Sequence, residues 1–274
     1  MIVFPNCKIN LGLHILGKRT DGYHNLETVF YPLPLYDVLE VIQASDTNQL
    51  YELFLSGNKI DGEVQNNLCV KAYQLLKKDF SHFPAVKIYL HKAIPSGAGL
   101  GGGSADGAYM LKLMNEKFSL KLSQERLITY ALELGSDCPF FIMNKPCFAQ
   151  QRGETLEPIN LNLPAYKLML INSGIHINTA WAFAQVEFTN TKNIKDIISM
   201  PIEDWKHNLT NDFELPVFKK FPEIADIKKQ LYASGALYAS MSGSGSTIYG
   251  IFSKNSIIDY KSFPQHYFVK EFSL

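Results

Sequence analysis

The stretch Pro95-Ser96-Gly97-Ala98-Gly99-Leu100-Gly101-Gly102-Gly103-Ser104-Ala105-Asp106 constrains the fold of this chain more than any other. It follows residues 86–90, whose alternation predicts a strand, and it runs into a helical pattern over about 104–116. Glycine at 97, 99, 101, 102 and 103 leaves the loop almost without side chains, so its backbone N–H groups can approach an anion closely. The helix that opens near Ser104 points the positive end of its dipole at the same place. Five glycines between regular elements cost conformational entropy, which a plain connector has no need to incur. The loop therefore reads as a phosphate site, with Ser104 capping the helix, meeting a phosphate oxygen or helping to hold Mg²⁺.

Two other motifs compete for that reading. Gly97, Gly99 and Gly102 also satisfy G-x-G-x-x-G, the dinucleotide fingerprint. That pattern belongs to an early βαβ unit, whereas here several strands precede the loop and two helices follow it, with no acidic residue closing a next strand. Residues 12–19, from Gly12 to Arg19, nearly match a P-loop but carry Arg19 where a hydroxyl must reach Mg²⁺, and they lie in an apolar strand pattern.

The rest of the chain mixes strands and helices. Residues 2–16, broken by Pro5 and Gly12, predict a strand or a bent pair of strands, and 19–24 a turn with Asp21-Gly22 at its tip. Strands are expected at 26–31, 36–42 and 50–55. Asn67 is placed to cap a helix carrying Leu68, Ala72, Leu75 and Leu76, and a further helix occupies 123–134. Short strands follow near 155–159 and 168–172, then a helix over 178–186 capped by Asn178 and intermittent helices over 194–234. Strands at 236–241 and 247–252 flank a second glycine cluster, Ser242-Gly243-Ser244-Gly245-Ser246, and a last strand is expected at 269–272. This is an α+β protein of two joined halves, divided at about residue 150 into 1–150 and 151–274.

Composition narrows the partners. Lys+Arg and Asp+Glu are both 26, and no basic stripe appears, which argues against a nucleic-acid partner. Cys7, Cys69, Cys138 and Cys147 lie far apart with no C-x-x-C pair, so they read as reduced thiols and no dedicated metal site is expected. No apolar run reaches the roughly 18 residues of a membrane span, and the N-terminus lacks a signal-peptide pattern. The expectation is a cytoplasmic protein, monomeric or weakly dimeric.

The glycine loop is similar to the central ATP-binding motif of the galactokinase, homoserine kinase, mevalonate kinase and phosphomevalonate kinase (GHMP) superfamily. Pro5-Asn6-Cys7-Lys8-Ile9-Asn10-Leu11 and Ser242 to Thr247 resemble its flanking motifs, in the order the superfamily uses. Within it, Lys8-Ile9-Asn10-Leu11, Arg19-x-Asp21-Gly22-Tyr23-His24 and Leu134-Gly135-Ser136-Asp137-Cys138-Pro139 most resemble the kinases that act on diphosphocytidyl-methylerythritol. The resemblance runs from about residue 3 to about residue 252, departs at Cys7 and Ala105, and is loose beyond 185. It implies a two-lobed fold with the active-site cleft between an N-terminal ATP-binding lobe and a C-terminal lobe. It also implies ATP with Mg²⁺ carried in by the nucleotide, and transfer of phosphate to the 2-hydroxyl of CDP-methylerythritol in the non-mevalonate isoprenoid pathway. A homoserine or mevalonate kinase is the rival reading.

Carried onto this chain, the resemblance makes Asp137 the catalytic base and Lys8 the catalytic lysine, the ammonium favouring the charged carboxylate and neutralising the transferring group. The plain alternative for Asp137 is an N-cap, and for Lys8 a solvent-facing strand lysine. With Phe4, Ile9 and Leu11 around it, a buried Lys8 calls for a partner. Pro95, Ser96, Gly97, Ala98, Gly99, Leu100, Gly101, Gly102, Gly103, Ser104 and Ala105 would bind ATP, with Asn67 and Lys92 near the nucleotide. Tyr23, His24 through its backbone, and Phe183 would hold the cytosine, with Asn10 and Thr179 on the polyol and diphosphate. An ordinary turn aromatic for Tyr23 and helix core for Phe183 are the alternatives, and residues 242–246 are expected to back the loop as scaffold.

Overall fold

Residue spacing places most elements where the backbone forms them. The computed structural model describes residues 1–44, 49–60, 62–80, 82–188, 193–259 and 262–274. The first half of the chain runs β1 (Ile2–Val3), β2 (Asn6–Lys18), β3 (His24–Tyr36), β4 (Val38–Gln43), β5 (Tyr51–Gly57), α1 (Leu68–Asp79), β6 (Val86–Lys92), α2 (Gly102–Lys117), α3 (Gln124–Leu134) and α4 (Cys138–Met143). The remainder runs β7 (Cys147–Gln151), β8 (Thr155–Pro158), β9 (Tyr166–Asn172), α5 (Thr179–Ala184), α6 (Ile194–Ile198), α7 (Ile202–Asn208), α8 (Glu214–Lys220), α9 (Pro222–Ala233), β10 (Tyr238–Met241), β11 (Ile248–Ser253) and β12 (Phe268–Ser273).

The chain forms two compact units, each discontinuous in sequence. One comprises Met1–Cys7, Pro34–Ser96 and Gly101–Lys145; the other comprises Lys8–Leu33, Gly97–Leu100 and Pro146–Leu274. Lys145–Pro146, close to the boundary expected near 150, is the last of the crossing points, and two others lie inside the glycine loop.

The first unit is a sheet of order β1-β4-β6-β5, antiparallel except for the parallel β5–β6 pair. On β6 the two-residue period buries Val86, Ile88, Leu90 and Lys92 on one face, and α1 and α2 bury Val70, Tyr73, Leu111 and Met114. Emptying one of those apolar positions to alanine would cost about 2–5 kcal/mol. Asn67 caps α1 by accepting from Cys69 N at 2.9 Å, and Ser123 caps α3 by accepting from Arg126 N at 3.3 Å.

The second unit holds the sheet β10-β11-β9-β12, with α9 packed on β10 and β11. It also holds most of the sheet β2-β3-β7-β8. Here β2 meets the entry to α8: Leu13 N donates to Thr210 O at 2.8 Å, and Asp212 N donates to Leu13 O at 2.9 Å. Asn178 caps α5 by accepting from Trp181 N at 2.9 Å.

Two of the differences from the sequence reading have a direct physical reason. The strands expected at 26–31 and 36–42 are β3, which continues to Tyr36, and β4, with Asp37 between them. Pro32 and Pro34 do not end β3 because its pairing with β7 stops at Phe30, so neither proline has a β7 ladder bond to supply. Helix α2 starts at Gly102, two residues before the pattern suggests. Gly101 takes the N-cap in a left-handed conformation, φ 69°, and a Cβ on Gly102 would lie 3.0 Å from Ile94 Cγ2. Tight packing demands glycine there, and the packing overrides glycine's weak helix propensity.

Candidate active site

Residues 97–100 of the glycine loop are fixed by backbone bonds within the second unit. Lys8 N donates to Leu100 O at 3.0 Å and Thr247 N to Ala98 O at 3.3 Å. Ser242 Oγ donates to Gly99 O at 2.8 Å. Gly99 has φ +77°, and a Cβ there would stand 2.0 Å from Ser242 O, so no other residue fits. The serine-glycine cluster is held in turn by Asn211, whose Nδ2 donates to Met241 O at 2.7 Å and Gly243 O at 2.8 Å. The cluster is thus the scaffold of the loop, as expected.

The same unit holds Lys8 in β2, only 4% exposed. Its Nζ donates to Asn10 Oδ1 at 2.6 Å and lies 4.9 Å from the Phe30 ring centre. Asn10 is buried and its amide is committed on both sides: Nδ2 donates to Thr28 Oγ1 at 3.0 Å while Oδ1 holds Lys8. Its backbone is fixed too, N donating to Ser242 Oγ at 3.2 Å and O accepting from Tyr249 OH at 2.8 Å. Two residues apart on β2, Lys8 and Asn10 share a face, and Asn10 orients the ammonium.

In the first unit, the start of α2 has no side-chain cap. Its early amides are unpartnered within the helix, and they carry the positive end of a 16-residue dipole. Gly103 faces outward: a Cβ there would meet nothing within 4 Å. Ser104 is half-buried and faces the Cys138 thiol, which burial pushes up to about 12. Asp137 occupies the N-cap position of α4 with φ −83° and ψ −17°, and its side chain makes no capping bond. A plain N-cap therefore does not account for it. Pro95 is half-buried and Ser96 exposed, with Ala105 fully buried on the inner side of α2. Asn67 Oδ1 is engaged in capping α1. Lys92 is 3% exposed, and its ammonium is held by Asp37 and by Asp106, the latter at 2.6 Å.

The aromatic residues gather in the second unit. Arg19 and Asp21 pair at 2.9 Å across the turn, and the guanidinium's hydrogen bonds hold the Asp21 carboxyl below its usual range. Tyr23 follows, 54% exposed, with the Arg152 guanidinium 4.8 Å over its ring. The His24 ring stacks on Phe183 at 4.7 Å and 14°, and burial, then the charge of Lys18, lowers its pKa. Phe183 and Phe213 meet edge to face at 4.8 Å and 87°. Thr179 opens α5 and its hydroxyl pairs with Ser244 Oγ at 2.9 Å, tying the helix to the scaffold cluster.

Comparison with known proteins gives these features a family. The GHMP kinase N-terminal domain matches residues 67–145, and the GHMP kinase C-terminal domain matches 193–262. A 4-diphosphocytidyl-2-C-methyl-D-erythritol kinase of Bacteroides fragilis (strain YCH46) is 54% identical over 254 residues, 92% of each chain. The chain belongs to the 4-diphosphocytidyl-2-C-methyl-D-erythritol kinase family. A second family member, from Cytophaga hutchinsonii, is 50% identical over 92% of each chain. Among solved structures, a kinase of this family matches with a TM-score of 0.77 at 30% identity, over 91% of this chain and 89% of that one. The fold is accordingly that of the GHMP kinases. A homoserine kinase from Cytophaga hutchinsonii, at 14% identity and a TM-score of 0.64, shares the fold.

Within this kinase, several contributors to the site escaped the sequence reading. Thr28 and Tyr249 fix Asn10, and Asn211 fixes the scaffold cluster. Asp37 and Asp106 hold Lys92, which has a legible signal: it continues the buried register of Val86, Ile88 and Leu90, so a charge on that face needs partners. Among the described residues no three His, Cys, Asp or Glu side chains stand together to hold a metal ion, and no helix is long and apolar enough to cross a membrane.

Proposed function

We propose that the chain transfers the γ-phosphoryl group of ATP to the 2-hydroxyl of 4-diphosphocytidyl-2-C-methyl-D-erythritol, in the non-mevalonate route to isoprenoid precursors. The observation that carries this is the 54% identity to a kinase of that name across 92% of both chains. The uncapped, glycine-led start of α2 supports it independently, because phosphoryl transfer asks a protein mainly to position phosphates and balance their charge.

In this reading the amides of residues 97–103 and the α2 dipole receive the phosphates, with Ser104 on a phosphate oxygen and Pro95, Ser96, Ala98, Leu100 and Ala105 shaping the loop. Asn67 flanks the nucleotide, and Lys92 acts from beneath the loop through its carboxylate partners. Asp137 takes the proton of the acceptor hydroxyl as its oxygen bonds to phosphorus. The bridging bond to the β-phosphate breaks and ADP leaves with the electron pair. Lys8, oriented by Asn10, balances charge on the transferring group. Tyr23 and Phe183 supply stacking faces for the cytosine and His24 its backbone, with Thr179 toward the diphosphate. Mg²⁺ would arrive on the triphosphate and offset its charge; the residues described here offer it no separate cage. The four cysteines are buried and unpaired by disulfides, which fits a cytoplasmic enzyme.

The test is ADP release with Mg·ATP and the cytidine substrate, beside mevalonate and homoserine. ADP with the cytidine compound alone supports the proposal. ADP with one of the other alcohols leaves a GHMP kinase with a different acceptor pocket and refutes the substrate.

A further inference from the structure

Beneath the start of α2 lies a buried cluster with an excess of negative groups. Asp37, between β3 and β4, is fully enclosed; its Oδ1 accepts from Ala93 N at 2.6 Å and Ile94 N at 2.9 Å, and its Oδ2 from Lys92 Nζ. Lys92 Nζ also donates to Asp106 Oδ2 at 2.6 Å. Asp106 Oδ1 is buried and has no hydrogen-bond partner among the described residues. Two carboxylates thus share one ammonium, and one carboxylate oxygen is left over.

The cluster is joined to the loop at both of its ends in this unit. Ala93 and Ile94, whose amides Asp37 holds, are the last residues before Pro95. At the other end, a Cβ on Gly102 would lie 3.4 Å from Lys92 Nζ, so the ammonium sits against the first residue of α2. Asp106 itself is in the second turn of that helix. The cluster therefore fixes where the strand stops and where the helix starts, and it sets the charge under the helix N-terminus.

We propose that Asp37, Lys92 and Asp106 form a proton-linked positioning cluster for the nucleotide site, in which Asp106 holds a proton while a triphosphate is bound at the start of α2. This deepens the ATP reading above and rests on it. Asp37 is satisfied as an anion by two amides and an ammonium. The leftover Asp106 Oδ1 is where a proton goes, which makes the cluster neutral. Ionised, the cluster carries one net negative charge beneath the phosphates and repels them. By reciprocity, phosphate binding draws a proton onto Asp106. The electrostatics agree: burial, offset in part by Lys92 and reinforced by Asp37, raises Asp106 to about 7. Burial pulls Lys92 down, but its two carboxylates hold it above its ordinary value, so it stays an ammonium. Cys69 of α1, which also faces the cluster, is pushed up by burial and by the charge of Asp106 and stays a thiol.

The test compares the protein with Asp106→Asn, which keeps an acceptor for Lys92 but cannot titrate. The probe is the Mg²⁺ complex of adenosine 5′-(β,γ-imido)triphosphate, titrated calorimetrically from about pH 6 to about pH 8.5, around the range in which Asp106 changes charge. Two buffers of different ionisation enthalpy are used at each pH, and saturating Mg²⁺ keeps the nucleotide's own charge constant. The proposal expects proton uptake on binding by the wild type above neutrality and none by D106N. It also expects wild-type affinity to fall relative to D106N by about tenfold as pH rises, the order expected for unit charges about 10 Å apart at moderate dielectric. Binding by both proteins with equal proton uptake and a constant affinity ratio refutes the proposal and leaves the ATP reading standing. Failure of the folded wild type to bind the nucleotide refutes both. If D106N does not fold, the wild-type arm decides alone: uptake supports the proposal, and buffer-independent enthalpies refute it.

Discussion

Replacing Gly103 by alanine should make this protein more stable and a poorer nucleotide binder at the same time. Gly103 is the second residue of α2, and an added Cβ would meet nothing within 4 Å. The methyl group removes glycine's entropic cost in a helix, worth about 1 kcal/mol in a helix interior and roughly half that in a first turn. For a chain of this size that raises Tm by about 1–2 °C. The same methyl points into the open side of the first turn, where the phosphates must approach the amides. Losing one charge-assisted hydrogen bond there costs about 1.5–3 kcal/mol, or about ten- to a hundredfold in affinity. Gly99→Ala should behave in the opposite way toward stability. Its left-handed φ of +77° costs a Cβ about 1–2 kcal/mol, and relieving a 2.0 Å approach to Ser242 O adds about 1–3 kcal/mol of strain. Scanning calorimetry without nucleotide, followed by equilibrium binding of Mg·ATP, separates the two variants. A stabilised G103A with undiminished ATP affinity would refute phosphate binding at the start of α2, and a G99A as stable as the wild type would refute the packing that fixes the loop.

The remaining expectations concern chemistry and pH. Asp137→Asn should lower turnover by about 10²–10⁴-fold with nucleotide affinity unchanged, because an amide cannot take the proton; single-turnover rates near wild type would remove Asp137 as the base. Lys8→Ala should cost about 10²–10³ in kcat with little change in KM for ATP, and a change confined to KM would make Lys8 a binding residue only. Phe183→Ala removes the partner of the His24 stack, and it should raise KM for the cytidine substrate about tenfold while sparing KM for ATP. Equal effects on both constants would mean that Phe183 is ordinary core. Finally, Asp106 binds a proton more tightly in the folded protein, at about 7, than an ordinary aspartate does. Its contribution to stability is therefore complete below about pH 4 and lost as pH rises toward about 7. Asp106→Asn should flatten that part of the stability profile in denaturant titrations; an unchanged slope would place the proton elsewhere.

How much of this was legible in the sequence follows from how far apart the interacting residues are. The caps on Asn67 and Asn178 are contacts over two or three residues, and each was readable from residue type and position. The glycine loop was readable because its conformational demand is written in its own composition, although the helix starts at Gly102 for a reason that lies in Ile94. What holds the loop was only partly readable. The serine-glycine cluster could be named as scaffold, but the bond from Ser242 to Gly99 spans 143 residues and the one from Asn10 to Ser242 spans 232. No periodicity carries such a pairing, since it depends on which strands become neighbours.

Lys92 marks where local reasoning can be pushed further. It was read as a nucleotide-side residue because the family resemblance places it there. The strand period gives a second reading: Val86, Ile88, Leu90 and Lys92 share the buried face, so an ammonium at the end of that row must be met by buried acids before it meets a ligand. Asp106 is an acid in an otherwise apolar and small-residue helix start, and Asp37 interrupts two apolar strands, although the sequence reading assigned neither to Lys92. An unexpected charge on a buried face predicts its counter-charges by the cost of leaving it alone. Here those counter-charges exceed the single ammonium they surround, and that surplus, more than any one contact, marks the cluster beneath the start of α2 as a place for a proton.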